Sequence, residues 1–162
     1  MLELRPLVKS DQERLWRWLH LALWDPPPAP PRPMEVLQAP EVRIFAEDWG
    51  RPSDIGIVAV VDGVDAGACW MRVMRAGLGS AFVDEGIPQL GIALTAPFQR
   101  LGYGEIMLRA ALALAWGARY EQVSLTVHPQ NPAIALYERC GFSKIGLRQT
   151  YHLMVARRPW TV

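Results

Sequence analysis

The sequence predicts a mixed α/β fold: one domain spanning residues 1–162, with helices laid on the faces of a mixed sheet. Three observations carry that expectation. The chain is 162 residues long, half apolar and a fifth charged, which suits one globular domain with its own core. Short apolar runs of strand length are interleaved with segments of helical period. In order they read β-α-α-β-β-β-α-β-α-β-β, with no internal repeat and one proline-rich stretch as the only biased tract.

"LELRPL" alternates and opens the chain as a strand. Ser10 then stands three residues before Glu13, a capping-box pattern, and Leu15, Trp16, Leu19 and Leu23 recur at helical spacing behind it. A helix is therefore expected over about 11–24. "DPPPAPPRP" stops it, since proline lacks the amide a helix needs. Too little chain precedes this stretch to form a domain, so it reads as a rigid surface loop rather than a linker. A second helix is expected over about 34–49, ending at Gly50. "DIGIVAVVDGVDAGACWMRVM" reads as two strands joined by a tight turn at Asp62 and Gly63. The looser "RAGLGSAFVDEGIP" follows, and then "QLGIAL" as a strand. The helix over about 102–119 carries Ile106, Ala110 and Leu114 on one stripe, with Met107 and Ala111 beside it. "QVSLTV" alternates Val123, Leu125 and Val127 against Ser124 and Thr126. "NPAIALYERCGF" is a short helix closing at Gly141, and "SKIGLRQ" with "TYHLMVA" form a final antiparallel pair.

Composition narrows the function. A net charge of +1 gives no reason to expect a nucleic-acid or membrane partner. Cys69 and Cys140 are too few for a disulfide scaffold and point to a reducing compartment. The start has no apolar signal core and no apolar run approaches spanning length, so a cytoplasmic location is expected. Cysteines and histidines show no metal-ligand spacing, so no metal is expected.

Between the strand "QLGIAL" and the next helix stand Gly102 and Gly104. The first amides of a helix lack intrahelical acceptors, and the helix dipole leaves partial positive charge there. Glycine lets a ligand approach that backbone without meeting a Cβ atom, and the combination suits a phosphate or pyrophosphate. The Rossmann fingerprint is not met, because Met107 stands at its third glycine, and no Gly-Lys-Ser/Thr completes a P-loop. The stretch resembles the acetyl-CoA signature of the GNAT superfamily of N-acetyltransferases, Q/R-x-x-G-x-G/A, with Gln99, Gly102 and Gly104 in the defined positions. Pro97 before it, the alanine- and leucine-rich helix after it, and "NPAIALYERCGF", which looks like the family's second motif, extend the resemblance. The order of elements matches along nearly the whole chain.

The resemblance implies a splayed central sheet, acetyl-CoA as co-substrate, and acetyl transfer to a primary amine by direct attack in a ternary complex. It implies that Gln99, Arg100, Leu101, Gly102, Tyr103 and Gly104 surround the pyrophosphate. The edge groups of Ile92, Ala93 and Leu94 would bond the pantetheine like an added strand. Leu94 N–H would polarise the acetyl carbonyl. Asn131 falls where a family asparagine often contacts the pantetheine, and it also suits the start of the next helix. Tyr137 matches a tyrosine that protonates the departing thiolate; the alternative is packing on Phe142.

Three positions depart from the family pattern. Arg100 stands where many members carry glycine. Glu105 replaces a small hydroxyl residue and is expected to point to water, since it would repel a pyrophosphate. Gln89 stands where a glutamate often enters the central strand, and an amide cannot accept a proton. Proton removal is therefore expected at Asp84 or, by preference, Glu85, through waters ordered near Gln89. The alternatives are that both are solvated loop charges and that His128, bulk water or the neutral fraction of the substrate serves. His20 and His152 read as structural or solvated, and Cys140 as a small buried residue. The family places the first two helices and last strand pair around the acceptor, which would bring Trp16, Trp18, Trp24, the proline loop and Tyr151 near it. A small-molecule amine is the first choice of partner and a protein or peptide amine the second, with a homodimer as the assembly to test. A non-catalytic acyl-CoA-binding or sensor module is the reading from a different class.

Overall fold

A computed structural model of the chain describes residues 1–160. Strands β1 (Leu2–Pro6), β2 (Ile55–Val61), β3 (Val64–Arg72), β4 (Gln89–Leu94), β5 (Gln122–Val127), β6 (Phe142–Arg148) and β7 (Tyr151–Arg157) form one sheet in the order β1-β2-β3-β4-β5-β7-β6. All neighbours are antiparallel except β4 and β5. Helices α1 (Gln12–Ala22), α2 (Pro40–Arg43), α3 (Tyr103–Gly117) and α4 (Ala133–Arg139) complete the predicted element order. The β2–β3 turn has positive φ at both Asp62 (49°) and Gly63 (80°), the conformation a two-residue hairpin of the right twist demands.

Two apolar layers sandwich the sheet. On one face α3 and α4 pack over Ile57, Cys69, Met71, Leu90, Val123, Leu125, Val127 and Met154. On the other, α1 and the α2 region cover Val58, Ala68, Trp70 and Ala93. The expected stripe on α3 is rotated. Met107, Leu108, Ala111, Leu112 and Ala115 are buried, while Ile106 and Leu114 stay about half exposed. An apolar helix rich in alanine fits several stripes, so its period alone does not choose the buried one.

Two helix expectations are corrected. The segment over 34–49 is a 3₁₀ turn at Met34–Gln38 and a single α turn at Pro40–Arg43. Pro40 forces Ala39 into extended geometry (φ −67°, ψ 127°), which divides the helix. At the first helix the Ser10–Glu13 box is replaced by Asp11, whose carboxylate accepts the Val8 N–H (2.9 Å) and two Arg5 N–H groups (2.9 Å each). A 3₁₀ turn at Lys9–Asp11 precedes α1, which ends at Ala22 ahead of the prolines.

The sheet splits where its two parallel strands meet. β4 and β5 share one paired position, Gln89 with Ser124, and diverge beyond it. Both residues of that pair reach the loop over 73–88. Ala81 N–H donates to Gln89 Oε1 (3.0 Å), Ser124 Oγ donates to the Ala81 carbonyl (2.6 Å), and Gln89 Nε2 donates to the Leu78 carbonyl (2.8 Å). One loop residue thus rivets the closed end of the split.

Candidate active site

The turn between β4 and α3 presents bare amides. No hydrogen-bond acceptor meets the N–H groups from Arg100 to Glu105 among the described residues, and the first closing contact is Ile106 N–H to the Gly102 carbonyl. Gly102 precedes the helix in the left-handed region (φ 86°), a conformation glycine adopts without strain. Arg100 also has positive φ (62°), which explains why glycine is common there and shows the arginine accommodated. A Cβ built on Gly104 would lie 3.5 Å from Leu136 Cδ2 and 3.6 Å from Leu94 Cδ1, ordinary contacts. The fold does not demand glycine at 104, so the space above it is free for a ligand.

The split has one defined lip. In an antiparallel ladder, both polar groups of a residue point to the same neighbour, and successive residues alternate. Thr95 N–H bonds the Ala66 carbonyl, and a Cβ on Gly67 would strike the Ala93 carbonyl, so Ala93 spends its polar groups on β3. That corrects the expectation for Ala93: Ile92 and Leu94 alone face the split from the predicted trio. The Leu94 carbonyl already accepts from Gln99 Nε2 at 2.8 Å. Gln99 therefore pins the turn to the strand end, and Leu94 N–H and both groups of Ile92 remain for a ligand.

Across the split, α4 positions Asn131 and Tyr137. Asn131 Oδ1 accepts the Ala133 N–H (2.9 Å) at the start of α4, which leaves its NH₂ as a donor. Tyr137 is buried edge-on to Phe142, with ring centroids 5.9 Å apart. Its hydroxyl has no side-chain or backbone partner, and no sealed side-chain polar atom lacks one among the described residues, so the hydroxyl is not closed off from solvent. Burial raises its pKa and keeps the phenol protonated. Glu105 points outward, as expected, but it is paired. Arg139 (3.0 Å) and Arg109 (3.1 Å) hold its carboxylate and lower its pKa, in that order of effect. That pairing offsets the repulsion a carboxylate would exert on a phosphate at this turn.

The carboxylates named for proton removal lie elsewhere. Glu85 accepts the Ala76 N–H (3.0 Å), and Asp84 accepts the Gly86 N–H (3.0 Å). Glu85 also lines a hollow of about 540 Å³ with Ile44, Glu47, Arg51, Arg75 and Leu78, where β3 ends and β4 begins. From Gln89 to Ile92 the strand rises roughly 10 Å, so these acids stand at the closed end of the split. Gln89 is fully buried with both ends of its amide bonded to the loop. Glu85 and Gln89 thus make their hydrogen bonds to different parts of the loop and none to each other.

A second cluster stands at the open end. Residues 23–33, between α1 and the next 3₁₀ turn, form a strap. α1 packs on β4, yet Trp24 beyond it reaches His128, the residue after β5, with ring centroids 5.6 Å apart. The strap thus crosses the split. Tyr151 packs on the same imidazole at 5.6 Å. Because Val127 and Met154 face α3, His128 and Tyr151 project to the α1 side. Arg32 grips both oxygens of Asp25 (2.9 and 3.0 Å) and donates to the Tyr151 hydroxyl (3.0 Å), while His20 bonds the Arg32 carbonyl (2.6 Å). This pairing lowers the pKa of Asp25. Gln130 N–H donates to His128 Nδ1 (3.0 Å), so the neutral ring carries its proton on Nε2.

Trp24, the proline loop and Tyr151 thus meet as expected, but Trp16 and Trp18 do not join them. Trp18 is buried in the α1 layer, and Trp16 packs under Arg43 at 4.8 Å. Asp25 and Arg32 were not singled out from the sequence. An acid and a base at the two ends of a proline run were the available signal.

A sheet split between parallel strands leaves an unpaired strand edge beside bare amides at its open end. The chain belongs to the acetyltransferase (GNAT) family, whose model matches residues 15–142. It is similar in fold to the GNAT domain of an S. lividans protein, PAT, at 17% identity, covering 97% of this chain and 90% of that one with a TM-score of 0.70. An aminoglycoside acetyltransferase in complex with coenzyme A is similar at 22% identity, 98% and 95% coverage and a TM-score of 0.65. A spermidine N-acetyltransferase chimera from Vibrio cholerae and hSSAT is similar at 18% identity, 96% and 95% coverage and a TM-score of 0.65. Among curated proteins no sequence matches the chain. Among the described residues no helix is long and apolar enough to cross a membrane, and no cluster of side chains could hold a metal ion.

Proposed function

We propose that this enzyme transfers the acetyl group of acetyl-CoA to the primary amine of a small molecule by direct attack in a ternary complex. The observation that carries the reading is the row of unpartnered amides from Arg100 to Glu105, opening at the wide end of the β4–β5 split. Family membership supplies the reaction class. The aminoglycoside and spermidine enzymes of like fold favour a small amine over a protein one.

The co-substrate, when bound, supplies a thioester with a thiolate leaving group. The amides of residues 100–105 would hold its pyrophosphate, with Gly104 giving clearance. Ile92 would bond the pantetheine as a strand does, helped by the Asn131 amide. Leu94 N–H would polarise the carbonyl as charge develops on its oxygen. Tyr137 would hold a proton on its hydroxyl for the departing sulfur. The attacking amine must be neutral, and the proton it sheds after attack needs an acceptor. Glu85 or Asp84 would act only through a long water chain, and His128 presents an N–H rather than a lone pair at Nε2. We therefore assign proton removal to water and to the neutral fraction of the amine itself.

The test is thiol release from acetyl-CoA over a panel of amines, with kcat/KM followed against pH. The ascending limb should move with the pKa of the amine and survive Asp84→Asn and Glu85→Gln. A limb fixed across amines and lost in Glu85→Gln would restore Glu85 as base. Binding of acetyl-CoA without turnover of any amine or peptide would make the chain a sensor module.

A further inference from the structure

Away from the split, we infer that the hollow where β3 ends and β4 begins binds a free α-amino acid with an apolar side chain. This site is independent of acetyl transfer. Its volume of about 540 Å³ lies within the range of small-molecule sites, and its lining divides by chemistry. Ile44, Val73, Met74 and Leu78 supply an apolar floor. Two acids, Glu47 and Glu85, and two bases, Arg51 and Arg75, stand around it.

The charges single this hollow out. One wall, from the segment 44–51, carries Glu47 and Arg51, and the other, from the segment 73–85, carries Arg75 and Glu85. Among the described residues no ion pair joins the two walls. Glu47 turns to Arg43 (3.6 Å) and Arg51 to Asp48 (3.9 Å), each within its own segment. Glu85 accepts the Ala76 N–H (3.0 Å) and meets no cation, and Arg75 meets no carboxylate. Both walls are held from behind. Arg72, buried in a pair with Asp54 (2.8 Å), donates to the carbonyls of Ile44 (3.0 Å) and Glu47 (2.6 Å). Opposite, Leu78 N–H bonds the Arg75 carbonyl (3.0 Å), and the Leu78 carbonyl accepts from the buried Gln89 amide (2.8 Å). The wall backbone is thus set in advance, which lowers the ordering cost of binding.

A ligand must answer both signs of charge and the apolar floor within one small volume. An α-amino acid does so, with its ammonium toward the glutamates, its carboxylate toward the arginines and its side chain on Met74 and Leu78. A simple amine or a simple carboxylic acid answers one sign and sets its charge against the like pair.

The test follows proton–nitrogen correlation spectra of the whole chain, without acetyl-CoA, as L-leucine is added. Saturable shifts with a Kd of about 1 mM, a scale ligands of this size reach, should appear at amides of residues 44–51 and 73–85. Leucinamide, without the carboxylate, and N-acetylleucine, without the ammonium, should bind about tenfold more weakly, as loss of one charge-assisted bond dictates. Arg75→Ala and Glu85→Gln should each weaken leucine by about the same factor. The glutamine keeps an acceptor for Ala76 N–H, so that wall stands. Shifts that do not saturate would overturn the inference. So would equal binding of leucinamide, or unchanged affinity in both variants. Shifts confined to the split, at residues 92–105, would overturn it too, by making leucine an acceptor amine instead.

Discussion

At the scale of single residues, the polar atoms already engaged decide which groups are left for chemistry. Tyr137 keeps its hydroxyl free while its ring is locked against Phe142, so the two roles weighed from the sequence are compatible. Tyr137→Phe keeps the ring contact and removes the proton. We expect kcat to fall roughly a hundredfold with acetyl-CoA affinity unchanged, within the range of general-acid contributions. Wild-type turnover in that variant would leave Tyr137 a packing residue. Gln89 is the opposite case, with its amide spent on Leu78 and Ala81. A glutamate there keeps the acceptor for Ala81 N–H but loses the donor to Leu78, and it buries a charge. Gln89→Glu should lower Tm by about 5 °C or more, from a loss of about 1–3 kcal/mol for an unsatisfied buried group. It should give no gain in kcat. A faster enzyme of unchanged Tm would show that the position serves proton transfer after all. The sequence could not foresee this, because a glutamine opening a strand looks the same whether its amide faces water or a loop.

Among the elements, strands were more legible than helices, for a physical reason. β4 runs from Gln89 to Leu94 as its short apolar run indicates, and β5 from Gln122 to Val127 as its alternation does, since a two-residue period fixes facing within a few residues. The stretch over 34–49 has helical composition, but Pro40 removes an amide at its middle and tertiary packing decides the rest. The entry to α1 misled through its chemistry. Ser10 and Asp11 both suit a cap, and Asp11 wins because it also pairs with Arg5 on β1. Those hydrogen bonds lower the Asp11 pKa, so the pair stabilises the fold above the unfolded value near 3.9. That stabilisation fades as pH falls through the folded value. Asp11→Asn should therefore cost about 2 kcal/mol at pH 7, as charge-assisted bonds do, and progressively less below about pH 4. Urea unfolding of both proteins at pH 7 and pH 3 measures it, and an equal deficit at both would refute the assignment.

For the whole molecule, the fold and the glycine turn were readable from "QRLGYG" and "NPAIALYERCGF", because both motifs are local runs of adjacent residues. The strap cluster was not, since Arg32 meets Tyr151, and Trp24 meets His128, only through the sheet order that places β7 beside β5. The rivet at Ala81 was hidden for the same reason, joining residues from three separate segments. What unites these parts is the split, closed at Gln89 and Ser124 and open between the amide row and the strap. The central claim is that acetyl-CoA lies along it with its phosphates on the amides of residues 100–105. The most direct measurement is the melting temperature of wild type and Gly104→Val with and without millimolar acetyl-CoA. A ligand selective for the native state raises Tm by mass action, about 2.7 kcal/mol at a hundredfold excess over Kd. The account predicts a rise of several degrees in the wild type and none in Gly104→Val, whose own Tm stays near that of the wild type. A wild type that does not respond, or a valine variant that responds equally, would contradict it.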